Sequence, residues 1–147
     1  MARDRLGVRP LFYSTHGGNL YFASEIKAIF AGGAMPRALD PLGLDEVFTL
    51  WSTVAPRTAF KDVYELPPGH CMTARRGVIS RRWYWDVDLS DSERDRGFED
   101  SMEELKSLLI DSTRLQLRAD VPVGAYLSGG LDSSVTTALI RNFSSSR

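Results

Sequence analysis

The sequence predicts an α+β unit followed by the start of an α/β unit, and three observations lead to this fold class. Two antiparallel hairpins, each with a glycine-containing turn, are predicted over 10–23 and 70–85. Residues 86–97 are polar and charged without helical or strand periodicity, which indicates an exposed linker. Residues 123–140 then predict a strand, a glycine-rich loop and a helix. The predicted boundaries are 1–88 for the first unit, 89–97 for the linker and 98–147 for the second unit.

The first unit is predicted to begin with two strands and a helix. The strands cover 10–13 and 20–23, and a turn with two adjacent glycines joins them. Ser24 can accept hydrogen bonds from free backbone amides, so it is predicted to cap a short helix over 25–30. A second glycine pair would end this helix.

Asp40 before Pro41 predicts the start of a second helix, over about 42–50. The Asp side chain can accept from amides of the first turn, and proline suits the first helical position because its missing N–H is not needed there. Apolar residues then follow at helical spacing: Leu44, Val47, Phe48 and Trp51.

Composition and charge exclude several classes of function. Eighteen basic and nineteen acidic residues leave a formal net charge of -1, so no overall field favours nucleic acid or an anionic membrane surface. The longest apolar runs are far shorter than the roughly 20 residues that cross a bilayer. Cys71 is the single cysteine and cannot form an internal disulfide, which favours a reducing compartment and a cytoplasmic location.

The second unit is predicted to open with its longest helix, from Phe98 to about Arg118. One face of that helix carries Phe98, Met102, Leu105, Leu109 and Ser112. A short apolar strand over 123–127 and a helix over 135–140 follow, with the loop between them.

The loop over 128–134 has the residue types of a phosphate site. Two adjacent glycines let the backbone approach a ligand closely, and the flanking hydroxyls and the start of the next helix add hydrogen-bond donors. Asp132 cannot donate when ionised, so it would hold the Mg²⁺ that accompanies a polyphosphate. A plain strand-to-helix turn is the alternative, but strand, Ser-Gly-Gly-x-Asp-Ser-Ser spacing and helix together favour nucleotide binding.

These motifs resemble those of one family. Residues 123–134 are similar to the pyrophosphate loop, or PP-loop, of ATP pyrophosphatases in the Ser-Gly-Gly-Leu-Asp-Ser-Ser form of asparagine synthetases. Residues 3–13, 22–28, 66–70 and 82–85 resemble the second half of the class II glutamine amidotransferase domain of those synthetases. The resemblance to glutamine-hydrolysing asparagine synthetases covers essentially the whole chain.

The resemblance implies an N-terminal-nucleophile amidotransferase domain with antiparallel sheets, followed by an α/β adenine-nucleotide hydrolase-like synthetase domain. Glutamine would supply ammonia in the first domain. In the second, ATP and aspartate would form an aspartyl-adenylate, and ammonia would displace AMP to give asparagine. The full-length protein is expected to form a homodimer. By the same resemblance, ATP would contact Leu127, Ser128, Gly129, Gly130, Asp132 and Ser133, with Mg²⁺ at Asp132.

The chain also departs from the family pattern. The family's glutaminase cysteine directly follows the initiator methionine, whereas Ala2 stands second here. Cys71 lies in mid-chain without a terminal amine, so it is predicted to be a small residue packed in a strand. Neither the glutamine-binding residues nor the aspartate-recognising residues of the family can be mapped onto this chain. No catalytic residue is assigned, and we expect no complete turnover from the chain alone.

Two alternatives remain open at the level of sequence. A related amidotransferase could adenylate another carboxylate, as a β-lactam synthetase does, because such enzymes share the loop and differ in the acyl pocket. A non-catalytic fragment that binds nucleotide or another protein is the second alternative.

Overall fold

The computed structural model describes residues 1–32, 35–89 and 97–143. The chain divides into two compact units, Met1–Leu89 and Ser90–Arg147. Most of the predicted linker, 90–96, lies outside the described residues, as do the second glycine of the pair after the first helix and the C-terminal residues 144–147.

The first unit contains a three-stranded and a two-stranded antiparallel sheet. In the first sheet, β1 (Phe12–His16) lies between β2 (Asn19–Ala23) and β3 (Val63–Glu65). In the second, β4 (His70–Arg75) pairs with β5 (Val78–Trp83). Both predicted hairpins are therefore confirmed, and with them the antiparallel-sheet part of the predicted α+β class.

Both hairpin turns are two residues long, and their backbone angles explain the glycines. Gly17 and Gly18 have φ of 58° and 79°, and Arg76 and Gly77 have φ of 50° and 79°. Turns with positive φ at both central residues match the twist of the flanking strands. The first turn is shorter than predicted, because β1 continues as far as His16.

The helix α1 (Ile26–Ala31) forms where a helix was predicted, but the predicted cap is wrong. Glu25, not Ser24, occupies the N-cap position, and it makes no side-chain capping bond. The chain remains extended through Glu25 after β2, at φ −136° and ψ 137°, so Ser24 lies too early to reach the first turn. The Glu25 carboxylate instead lies 2.6 Å from the Lys27 ammonium nitrogen.

The helix α2 (Pro41–Leu50) starts as predicted. Asp40 Oδ1 accepts hydrogen bonds from the Leu42 amide at 2.9 Å and the Gly43 amide at 3.2 Å. The helical spacing of the apolar residues does not lead to burial of all of them, since Phe48 and Trp51 are 83% and 94% exposed.

Two apolar clusters lie on the first unit's sheets. Tyr13, Leu66 and Met72 form one, and Ile29, Phe30 and Val63 form the other. Neighbouring residues of β1 serve different clusters, since Tyr13 belongs to the first and Phe12 packs against the second. This follows from the alternation of side chains along a strand.

A buried guanidinium joins the N-terminal segment to this core. Arg3 is 8% exposed, and its Nη1 lies 2.7 Å from Glu65 Oε1 and donates to the Leu66 carbonyl at 2.8 Å. Its Nε and Nη2 donate to the carbonyls of Arg9 and Gly7 at 3.2 and 2.9 Å. Since a buried charge is costly unless it is paired and hydrogen-bonded, this set of partners fixes the position of Arg3.

Asp4, next to Arg3, holds the following turn. Its two carboxylate oxygens accept from the amides of Arg9 and Val8, each at 2.9 Å. These hydrogen bonds, with that from Arg9 the larger cause, lower the pKa of the Asp4 carboxyl below its ordinary value. Both of these charged residues, Arg3 and Asp4, therefore have structural roles.

The second unit contains the helices α3 (Phe98–Gln116) and α4 (Leu131–Phe143), which pack against each other. The long first helix is confirmed. The predicted strand over 123–127 is wrong for the described residues, which have no strand assigned there. A strand needs a neighbour to complete its hydrogen bonds, and this segment pairs with none in the described part of the unit. The α/β character of the second unit stays a prediction.

In the described part of the chain, no helix combines the length and the apolar character needed to cross a membrane.

We predict that Arg3→Met destabilises the first unit by about 3 kcal/mol, because it leaves Glu65 and three carbonyl groups without their partner. Urea unfolding followed by tryptophan fluorescence measures this, since all three tryptophans lie in the first unit. Arg75→Met, at the exposed end of β4, is the matched control and should change stability by less than about 0.5 kcal/mol. Equal effects of the two substitutions would contradict the role of the buried guanidinium.

We also predict that Gly43→Ala destabilises the first unit by about 1–3 kcal/mol, although alanine normally stabilises a helix relative to glycine. A Cβ at this position would lie 2.2 Å from the Thr58 carbonyl oxygen. The same unfolding experiment tests this, with Thr49→Ala on the exposed side of α2 as control. A Gly43→Ala variant as stable as the parent would show that α2 does not pack this closely.

Candidate nucleotide-binding loop

The glycine-rich loop joins the segment that ends at Leu127 to α4. Gly129 has φ of +84°, a backbone conformation that side-chain-bearing residues rarely adopt. The helix begins at Leu131, four residues earlier than predicted. Asp132, Ser133 and Ser134 therefore lie in the first turn of α4, and the loop itself is reduced to 128–130.

Ser133 connects the two ends of this loop. Its Oγ accepts a hydrogen bond from the Ser128 amide at 3.3 Å, lies 3.0 Å from Ser128 Oγ, and donates to the Gly130 carbonyl at 3.1 Å. A hydroxyl has one hydrogen, so the Ser128 hydroxyl must be the donor to Ser133 Oγ. Ser134 Oγ also donates to the Gly130 carbonyl, at 2.8 Å.

The structure brings most of the predicted ATP-binding residues together. Ser128, Gly130 and Ser133 share the hydrogen bonds of the loop, and Gly129 forms its turn. Five of the six predicted residues are exposed and Ser133 is half-buried, so all of them are accessible to a ligand: Leu127, Ser128, Gly129, Gly130, Asp132 and Ser133.

A cleft of about 500 Å³ lies beside the loop, within the second unit. It is bounded by α3, by residues 123–126 and by α4, and it includes Asp132 and Ser133. Its volume is in the usual range for sites that bind small organic ligands. Thr137 lines this cleft, and its buried hydroxyl oxygen has no hydrogen-bond partner among the residues that the structure describes.

Sequence reasoning did not identify the residues that α3 contributes to this cleft. Thr113, Gln116 and Leu117 lie near the end of that helix, and Thr137 lies in the second turn of α4. The spacing of Thr113 and Gln116 places them on one helical face. That spacing could have indicated a shared polar surface, but not that α4 lies opposite it.

The donor set around Asp132 fits one kind of metal binding. Asp132 offers one carboxylate beside the hydroxyls of the loop, and the described residues hold no group of three or more His, Cys, Asp or Glu side chains suited to a metal. Mg²⁺ usually binds proteins through one or two carboxylates together with phosphate oxygens and water. Asp132 therefore fits an ion that arrives with a polyphosphate.

Cys71 lies in the strand β4, where its backbone is opposite that of Ala2. The side chain is half-buried. This agrees with the prediction of a cysteine packed in a strand.

Two family models match the chain. The glutamine amidotransferase domain matches residues 1–85, and the asparagine synthase model matches residues 104–147. The chain is 42% identical, over 94% of its length, to asparagine synthetase [glutamine-hydrolyzing] 3 of Bacillus subtilis. It is 30% identical over its whole length to asparagine synthetase B [glutamine-hydrolyzing] of Escherichia coli, and 36% identical over 95% to amidase chry2 of Gibberella zeae.

These matches define the chain as an amidotransferase domain joined to asparagine synthase sequence. The chain belongs to the family of glutamine-hydrolysing asparagine synthetases. It spans 21–22% of the length of the three relatives named above.

We predict that Ser133→Ala loosens the loop, because it removes the acceptor of the Ser128 amide and a donor to the Gly130 carbonyl. Amide hydrogen exchange should become several-fold faster at Ser128. Ser134→Ala is the control, since it loses one bond to the same carbonyl but none to Ser128. Equal exchange at Ser128 in the two variants would show that Ser133 does not hold the loop.

Proposed function

We propose that this chain serves the synthesis of asparagine from aspartate, ATP and glutamine-derived ammonia. The observation that carries the proposal is the loop around Gly129, where a positive φ and the hydrogen bonds of two serine side chains form a tight turn directly before the N-terminus of α4, the helix end that attracts phosphate. The match of residues 104–147 to asparagine synthase and of 1–85 to a glutamine amidotransferase domain supports this choice of reaction.

The proposed chemistry has two steps at the synthetase part. An aspartate carboxylate oxygen attacks the α-phosphorus of ATP, so an aspartyl-adenylate forms and pyrophosphate leaves. Ammonia then attacks the acyl carbon, and AMP leaves. Negative charge grows on the departing pyrophosphate, and the first amides of α4 are suited to stabilise it.

ATP is proposed to contact six residues in and beside the loop: Leu127, Ser128, Gly129, Gly130, Asp132 and Ser133. Asp132 would hold Mg²⁺, which would neutralise part of the phosphate charge. The proposed reaction makes the protein an ATP-dependent carbon–nitrogen ligase with glutamine as amido donor. The lone Cys71 supports a reducing, cytoplasmic location.

Titration calorimetry with ATP and Mg²⁺ tests the nucleotide site. We predict that Gly129→Ala weakens ATP binding about tenfold, because an alanine forced into a left-handed conformation costs roughly 1–2 kcal/mol. Gly77→Ala is the matched control, because Gly77 also has a left-handed φ, of +79°, but lies in a hairpin turn of the first unit. It carries the same backbone strain outside the loop, so binding should stay within about threefold of the parent.

The possible outcomes separate the parts of the proposal. Equal affinity of the parent and both variants would place the nucleotide elsewhere. Absence of binding by the parent protein would contradict a nucleotide site carried by this chain. Asp132→Asn should reduce the dependence of ATP affinity on Mg²⁺ while leaving weak metal-free binding unchanged, and an unchanged Mg²⁺ dependence would exclude Asp132 as the ligand.

A further inference from the structure

A cleft that shares no residue with the glycine-rich loop lies within the first unit. Its volume is about 370 Å³. Residues two positions apart on a strand point to the same side of a sheet, and each sheet of the unit supplies such a pair. The cleft is therefore built by both sheets together. Six residues line it: Tyr13, Thr15, Pro56, Tyr64, Ile79 and Arg81.

Tyr13 on β1 joins the two sides of this cleft by holding Arg81 on β5. Tyr13 is 5% exposed, and its hydroxyl oxygen accepts a hydrogen bond from Arg81 Nη1 at 2.8 Å. A phenol that accepts from a guanidinium still has its own hydrogen to donate. Because hydrogen bonds in a chain polarise one another, the positive charge of Arg81 also strengthens this second donor. The buried tyrosine thus fixes the guanidinium and places an O–H donor beside it.

The polar groups of this cleft are suited to a negatively charged ligand. The Arg81 guanidinium has further N–H donors besides the one that Tyr13 accepts, and the Thr15 hydroxyl lines the same cleft. The described residues that line the cleft include no carboxylate, so none of them neutralises the charge of Arg81. The planar fork of a guanidinium matches the two oxygens of a carboxylate, and hydrogen bonds between such charged partners are stronger than neutral ones.

We propose that this cleft binds a small organic monocarboxylate. The carboxylate accepts from the Arg81 guanidinium and from the Tyr13 hydroxyl, while Pro56, Ile79 and the ring of Tyr64 supply apolar surface for a short hydrocarbon body. The Tyr64 ring is itself positioned by Tyr13, with the two ring centroids 5.7 Å apart. The volume lies near the lower end of the range for small-molecule sites, which limits the ligand to a few carbon atoms.

Titration of the ¹⁵N-labelled full chain with butyrate, followed by NMR, tests the proposal. We expect saturable shifts of the Thr15 and Ile79 amides and of the Arg81 Nε–H signal. The dissociation constant should be about 1–10 mM, because so small a ligand makes few contacts. Butyramide has the same shape without the charge, and it should bind at least about tenfold more weakly because it forms no ion pair with the guanidinium.

Two substitutions remove the proposed donors one at a time. Arg81→Gln should weaken butyrate binding about tenfold, because it removes the charge and the fork. Tyr13→Phe removes only a hydroxyl and should weaken binding about fivefold. Arg82→Gln is the matched control, since it removes the same charge from the next residue of β5, on the opposite side of the strand. Butyrate binding by this control should stay within about twofold of the parent.

The same spectra separate loss of the site from loss of folding. Arg81 and Arg82 are both exposed, so the amide signals of residues away from β5 should keep their positions in both variants. Three results would overturn the proposal. They are a parent without saturable shifts up to about 100 mM butyrate, equal binding of butyrate and butyramide, and equal loss of binding in Arg81→Gln and Arg82→Gln.

Discussion

The buried guanidinium of Arg3 is the interaction on which the first unit depends most. It donates to three carbonyls and lies against the Glu65 carboxylate, so the N-terminal segment, the turn after it and the end of β3 meet at one charge. Tyr84 adds the segment after β5 by donating to the Arg3 carbonyl at 2.6 Å. Burying the guanidinium is costly unless all of these partners are in place. The buried charge therefore favours the one arrangement of the chain that brings them together.

Features with a local cause could be predicted from the sequence. Two hairpin turns, the Asp40 cap and the long helix α3 each depend on residues within a few positions, and the structure contains all of them. The wrong predictions depended on distant parts of the chain. Ser24 lies too early because pairing with β1 determines where β2 ends, and 123–127 has no strand to pair with in the described residues.

The same distinction between local causes and distant contacts applies to the candidate site. The spacing of Ser128, Gly129 and Ser133 could be recognised because one turn and one helix start bring them together. The cleft beside them needs α3 to pack on α4, and no short pattern contains that information. Thr113 and Thr137 therefore became candidates only through the fold.

The two units are held by different kinds of interaction, and this affects how the loop can bind. In the first unit, a buried charge links segments that are more than sixty residues apart. In the loop, every hydrogen bond described above joins residues at most five positions apart. Such local bonds hold the loop in one arrangement directly before α4, so the first amides of that helix keep a fixed direction. This lowers the entropy that a phosphate must overcome on binding.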